Sequence, residues 1–251
     1  MTVSIITATY NSATTIKDTL QSVQQQTYPF IEHIIVDGVS TDNTLDIVAA
    51  SAHKGFVHQG KDKGIYDAMN KGISLSNGDI IGILNSDDFY ADETVIEKVV
   101  ALFKDTNCKA VYGDLVYVDA NNTHQITRTW ISGDYRKNNF LYGWMPPHPT
   151  FFVRKELYQQ FGTFNLALWG AADYELMLRF LYKHNVETAY LNKVLVHMRS
   201  GGQSNVSIKN RIRANMEDRK AWKLNALKPR WYTLFLKPIR KITQFFIKTK
   251  G

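Results

Sequence analysis

The chain has 251 residues, of which 44% are hydrophobic, enough for one large α/β domain with a real core. Its single cysteine, Cys108, excludes an intramolecular disulfide and points to a reducing compartment; the N-terminal MTVSIITATYN does not read as a secretory signal, and no apolar run approaches the roughly 18–20 residues that span a bilayer. The net charge of +7 is unevenly placed: Arg219 to Gly251 holds ten Lys or Arg and no acid, leaving 20 basic and 23 acidic residues elsewhere, which argues for a surface-binding tail and against a nucleic-acid-binding fold.

In chain order, VSIIT (3–7) reads as a first strand, and Ile16, Leu20 and Val23 then recur at helical spacing. HIIVD (33–37) reads as a second strand, followed by Ser40, Thr41 and Asp42 as helix caps before Leu45 and Val48. FVHQ (56–59) is a short third strand, Ile65, Met69 and Ile73 mark a helix, and DIIGIL a fourth strand. Residues 94–103 read as helix and KAVYGDLVYVD (109–119) as strand. The alternation predicts a Rossmann-like, mostly parallel sheet flanked by helices.

Ligands of such sheets bind outside the carboxyl ends of the strands. The residues there are Thr9, Tyr10 and Asn11; Asp37; Lys61 and Asp62; and Asp87 and Asp88. No Gly-rich phosphate loop accompanies them, so a phosphate needs another counter-charge. Two adjacent carboxylates repel unless a cation or donors compensate them. Alone, they read equally as a solvated turn leading into a helix or as oxygen ligands for Mg²⁺ or Mn²⁺.

Five stretches occur in order: TATYN (7–11), VDGVSTDNT (36–44), DKGIYDAMNKGI (62–73), GDIIGILNSDDFY (78–90) and AADYELMLRF (171–180). Together they resemble the inverting family 2 glycosyltransferases of GT-A fold, and among them bacterial enzymes that build exopolysaccharide, capsule or lipopolysaccharide O-antigen. The resemblance covers residues 1–205. It implies a catalytic domain over 1–205, with a nucleotide-binding half at 1–119 and an acceptor half carrying the base at 120–205; charge and spacing make 206–251 a basic helical tail. It implies that Tyr10 and Asp37 line the nucleotide-base pocket, with Thr9 in the same loop and Lys61 and Asp62 near the base or ribose. In NSDD, where Ser86 replaces the family's first acid, Asp87 would face ribose and sugar and Asp88 would hold Mn²⁺ or Mg²⁺. Asp173 would be the general base; many relatives have Glu-Asp here, and this chain has Ala172-Asp173. Without the resemblance, Asp173 reads as an acid favoured at a helix N-terminus.

Trp144 and Trp169 are candidates to stack on a sugar and His148 to bond a hydroxyl, against a packed loop as the plainer reading. His197 is a candidate extra metal ligand, although it precedes Arg199 where relatives place the histidine after the arginine. Arg199 with Gly201-Gly202 would form a loop closing over the diphosphate. In the tail, Phe235, Ile239, Ile242 and Phe246 fall on one helical face and Lys237, Lys241 and Lys248 on the other, with Pro238 suited to a first turn. This predicts an amphipathic helix on an anionic membrane, against a helix packed on the catalytic domain.

The expected function is metal-dependent, inverting transfer of a sugar from a nucleotide sugar, UDP-linked, to a glycan or lipid-linked acceptor at the inner face of the cytoplasmic membrane, without nucleic acid. The competing readings are a sugar nucleotidyltransferase, which would want a Gly-rich basic loop after the first strand, and a binding module with a dead site, against which the intact Asp87, Asp88 and Asp173 speak.

Overall fold

The computed structural model describes residues 1–51, 55–201 and 208–245. One nine-stranded sheet forms its centre. β1 (Val3–Thr9), β2 (Ile31–Asp37), β3 (Phe56–Gln59) and β4 (Ile80–Ile83) pair in parallel, in the order β3-β2-β1-β4. The sheet continues through β8 (Phe152–Arg154), β6 (Ala110–Val118), β9 (Thr188–Arg199) and β5 (Phe89–Tyr90), with β7 (Ile126–Trp130) on β6. β6 and β9 are parallel to each other, whereas β8, β7 and β5 run against their neighbours. The sheet is thus parallel through its first half and mixed beyond.

β1 is buried along its whole length and alternates between two cores. Ile6 and Ala8 meet Met69 and Ile73 of α3 (Ile65–Leu75); Val3 and Ile5 meet Val95, Val99 and Phe103 of α4 (Val95–Thr106). A third cluster joins Ile16 and Leu20 of α1 (Ile16–Gln24) to Ile35 and to Val48 of α2 (Thr44–Ala50). These helices follow the spacing read from the sequence. Just before α2, whose N-cap Asn43 makes no side-chain capping bond, Asp42 Oδ1 accepts the Thr44 hydroxyl and the Thr44 N–H (3.0 Å), and these bonds hold the Asp42 carboxyl below its ordinary range.

After α5 (Lys155–Phe161), α6 (Ala172–Met177) continues as a π-helical stretch over Leu178–Lys183. The last helices, α7 (Ile208–Leu224) and α8 (Thr233–Thr243), pack back on the sheet domain. Ala221, Trp222 and Leu234 are buried in the same core as Tyr174 and Leu178. The helices of the expected tail over 206–251 thus share a core with the residues before it. Pro238, expected in a first turn, stands inside α8, because the helix already begins at Thr233, whose Oγ1 accepts the Arg230 N–H. Gly202, Ile242, Phe246 and Lys248, on which parts of the loop and tail readings rest, lie outside the residues whose side chains are described.

Candidate active site

The carboxyl ends of β1, β2 and β4 come together at one edge, as their parallel register requires. Thr9 and Asp37 are register partners there. The β1 and β2 loops are tied: Asn11 N–H donates to Ser40 Oγ (2.9 Å), and Asn11 Oδ1 accepts the Thr41 N–H (2.8 Å). Asn11 takes φ 49°, a left-handed conformation that asparagine tolerates. Val39 takes φ 66°, which a β-branched residue adopts only under constraint. The constraint is next to it: buried Asp37 accepts the Ser40 N–H and Oγ–H, one on each carboxylate oxygen. Each oxygen keeps further acceptor capacity.

Tyr10 is 63% exposed beside this turn. A Cβ on Gly38 would stand 2.7 Å from Asp62 Oδ2 and 3.5 Å from Tyr10 Cδ2, so both side chains close on the glycine. Tyr10 and Asp62 thus close on the bare backbone of Gly38, the residue after buried Asp37. Sequence reasoning missed Gly38, although VDGVSTDNT contains it. Lys61 is exposed; its carbonyl accepts a hydrogen bond from Lys71.

The NSDD loop joins β4 to β5. Ser86 Oγ and Ser12 Oγ are 2.8 Å apart, linking it to the β1 loop. Asp87 is half-buried and Asp88 fully buried. Asp88 Oδ2 accepts from Asn85 Nδ2 (2.9 Å) and Oδ1 from the Arg199 N–H (3.3 Å). Burial, and then the charge of Asp87, push the Asp88 carboxyl well above its ordinary range; burial also raises Asp87. This frustrated pair matches the chemistry of Mn²⁺ or Mg²⁺, which take one or two carboxylates and complete their shell with water and phosphate oxygens. Among the described residues no three His, Cys, Asp or Glu gather as a closed metal cage. His197 stands opposite Phe89 across the β5–β9 pair and packs edge-on to its ring at 5.2 Å. Burial lowers its imidazole below the ordinary range.

Arg199 is buried and already engaged. Its Nη1 donates to the Asp87 carbonyl (2.6 Å), its Nη2 pairs with Asp18, and the guanidinium lies over Phe89. In this arrangement it braces the acidic loop; Asp18, in the first turn of α1, carried no signal in the sequence.

Asp173 lies in the first turn of α6, half-buried, and its Oδ1 accepts the Tyr66 hydroxyl at 3.3 Å. Tyr66 stacks on Phe164, and His148 meets Phe164 edge-on. His148 Nε2 is buried without a hydrogen-bond partner among the described residues, and burial holds the imidazole below its ordinary range against the pull of Asp173. Tyr66 sits inside the DKGIYDAMNKGI stretch and was readable there as a candidate. Burial raises the phenol of Tyr117 on β6, and the charges of Asp88 and Asp173 add to that shift.

The two tryptophans part company. Trp144 is 5% exposed, donates Nε1–H to the Ser132 carbonyl (2.8 Å) and stacks on Tyr135. It is a core residue with no free face for a sugar, which corrects the expectation from sequence. Trp169 is 51% exposed on a loop whose Trp169 and Gly170 N–H groups both donate to Glu217 of α7 (3.0 and 2.7 Å).

A central sheet thus carries an acidic pair at the end of β4, and a separate acid stands in the first turn of α6. The chain matches the model of glycosyl transferase family 2 over residues 4–162 and belongs to that family. It is 30% identical over 211 residues to a PGL/p-HBAD biosynthesis glycosyltransferase of Mycobacterium bovis, covering 82% of this chain and 80% of the relative. It is 34% identical over 110 residues to the putative teichuronic acid biosynthesis glycosyltransferase TuaG of Bacillus subtilis, covering 42% of this chain and 43% of that one. The fold matches S. aureus TarS 1-349, solved with UDP-GlcNAc, at a TM-score of 0.69 and 19% identity, over 90% of this chain and 66% of that one. It also matches the mannosyltransferase PcManGT of Pyrobaculum calidifontis, solved with GDP-Man and Mn²⁺, at 0.65 and 17% identity, over 98% and 70%. The protein is a family 2 glycosyltransferase with the GT-A fold.

Proposed function

We propose that this glycosyltransferase moves a sugar from a UDP-linked donor to a glycan or lipid-linked acceptor, with inversion at the anomeric carbon. The observation that carries the reading is the buried, mutually repelling Asp87–Asp88 pair at the carboxyl end of β4, together with Asp173 in the first turn of α6. Tyr10, Asp37, Asp62 and Gly38 receive the base and ribose, with Thr9 and Lys61 at the margin, and Asp87 meets the sugar. A bound Mn²⁺ or Mg²⁺, held by Asp88, supplies charge neutralisation for the departing diphosphate. Asp173, oriented by Tyr66, takes the proton from the acceptor hydroxyl as its oxygen attacks. His148 and Trp169 stand on the acceptor side, and Arg199 steadies the acidic loop. UDP is the first base to test because TarS was solved with UDP-GlcNAc, and GDP the second because PcManGT was solved with GDP-Man.

Among the described residues no helix is long and apolar enough to cross a membrane. Trp231, Phe235 and Ile239, spaced four residues apart, are 83%, 63% and 53% exposed on α8 and the turn before it. This apolar ridge, with the tail's positive charge, supports peripheral attachment to an anionic inner membrane face.

Asp173→Asn tests the base. Transfer should fall by about 10²- to 10⁴-fold while nucleotide affinity stays at the parent value. A variant that transfers at the parent rate contradicts the assignment.

A further inference from the structure

The DKGIYDAMNKGI stretch supplies α3, and two sides of that helix do different work. Ala68, Met69, Gly72 and Ile73 are its buried side, and Ala68, Met69 and Ile73 share a core with Ile6 and Ala8 of β1. A Cβ at Gly72 would collide with the Ile6 side chain, so the helix backbone rests directly on the strand. Tyr66 and Asn70, one helical turn apart, instead engage the acceptor half of the chain, at Asp173 and Phe164.

Asn70 binds the backbone of Phe164 twice. Its Oδ1 accepts the Phe164 N–H and its Nδ2 donates to the Phe164 carbonyl, 2.9 Å each. Phe164, 3% exposed, stacks on the Tyr66 ring with centroids 5.4 Å apart and planes 26° apart. The Tyr66 ring is therefore backed by a residue that the same helix fixes. Its hydroxyl is delivered to Asp173 Oδ1 at 3.3 Å. Burial, and then the charge of Asp173, push the phenol well above its ordinary range, so Tyr66 is a hydroxyl donor at neutral pH. A carboxylate has about four acceptor positions on its two oxygens. One bond at Oδ1 restrains rotation of the group and leaves acceptor capacity for an incoming hydroxyl.

We propose that Tyr66, backed by Phe164 and Asn70, is a positioning residue that holds the Asp173 carboxylate in one orientation for the acceptor. The proton of the acceptor hydroxyl goes to Asp173, and Tyr66 keeps its own. The role rests on the reading of Asp173 as general base; the contact itself does not. Loss of the hydroxyl should slow the chemical step and leave nucleotide binding alone.

Two measurements on the full chain test this. The first needs no substrate: thermal midpoints of the parent, Tyr66→Phe, Asp173→Ala and the double variant form a cycle. Tyr66→Phe should lower the midpoint of the parent and not that of Asp173→Ala, where the phenol has no carboxylate to meet. Equal shifts on both backgrounds overturn the contact. The second follows nucleoside diphosphate release from UDP-GlcNAc and from GDP-Man with Mn²⁺, water standing in for the acceptor. Tyr66→Phe should lower kcat about tenfold at the parent's donor KM, and on the Asp173→Ala background this further loss should vanish. Asn70→Ala, which frees Phe164, should lower kcat in the same direction. Parent kcat in Tyr66→Phe, or the same tenfold loss on both backgrounds, overturns the positioning role alone. Parent kcat in Asp173→Ala overturns the base reading and the positioning role with it.

Discussion

Asp88 is under electrostatic tension. Its carboxyl titrates well above the ordinary range because it is buried beside Asp87. The folded state therefore holds this proton more tightly than the unfolded chain does. Stability from this group is full below the unfolded value of about 4 and is lost as pH rises through the raised folded value. Two outcomes follow for metal-free protein. Thermal midpoints should fall as pH is raised from about 4 towards neutrality, and Asp88→Asn should flatten that fall and gain about 1–2 kcal/mol at neutral pH. A parent and a variant with superimposable midpoint-against-pH curves would sink this account of the pair. The acids themselves were legible in the sequence, because two carboxylates ending an apolar strand demand an explanation. Their braces were not: Arg199 and Asp18 lie far apart in sequence, and the β5–β9 pairing brings Arg199 to the acidic loop while the packing of α1 on β5 brings Asp18.

Among the elements, α6 is fixed from several sides. Glu175, 2% exposed, accepts from Arg179 Nε and Nη2 (3.0 Å each) and from Asn225 Nδ2 (2.9 Å). Tyr174 accepts the Trp222 indole N–H at 2.9 Å, and the Lys237 ammonium sits 3.6 Å from the centre of its ring. The helix that carries Asp173 is thus held by α7 and α8 through the two residues that follow the acid. Such locking of the residues around a reacting group keeps its geometry within catalytic tolerance. Gly143 is the hinge of this packing. Gly143→Ala should cost about 1–3 kcal/mol, from the positive φ and from collision with the α8 backbone. Chemical denaturation reads this directly, and an unchanged midpoint would mean that α8 does not sit against the loop. Helices α1 to α4 were legible because their apolar spacing is regular. The strands β5, β7, β8 and β9 were not, because β5 and β8 are two and three residues long and the register of β9 shifts against β6 near Asp114. Trp144 was misread for a related reason: an aromatic beside two prolines looks like an exposed turn until Tyr135 and Ser132 arrive from elsewhere.

Over the whole molecule, charge and packing divide the chain differently. The last 33 residues carry ten basic side chains and no acids, yet Trp222 and Leu234 belong to the central core. A sequence shows the charge boundary because charge is local. It hides the packing because burial of Trp222 depends on Tyr174 and Tyr182 across the fold. The same segment exposes Trp231, Phe235 and Ile239. Replacing these three by serine should remove most binding to anionic vesicles and leave the thermal midpoint near the parent value, since exposed side chains contribute within about 0.5 kcal/mol. Vesicle binding that survives the triple substitution contradicts the membrane assignment of this ridge.

The central claim is that the edge formed by Tyr10, Asp37, Asp62 and the Asp87–Asp88 pair takes a nucleoside diphosphate together with a divalent metal. Calorimetric titration of UDP into the parent and into Asp88→Ala, with Mn²⁺ and with EDTA, tests it most directly. The account predicts binding by the parent with Mn²⁺, at least tenfold weaker binding in EDTA, and no response to Mn²⁺ in Asp88→Ala, about 1.4 kcal/mol or more of metal-linked affinity lost. UDP affinity that is the same in all four titrations would contradict it, and binding of GDP alone would keep the site and change the base.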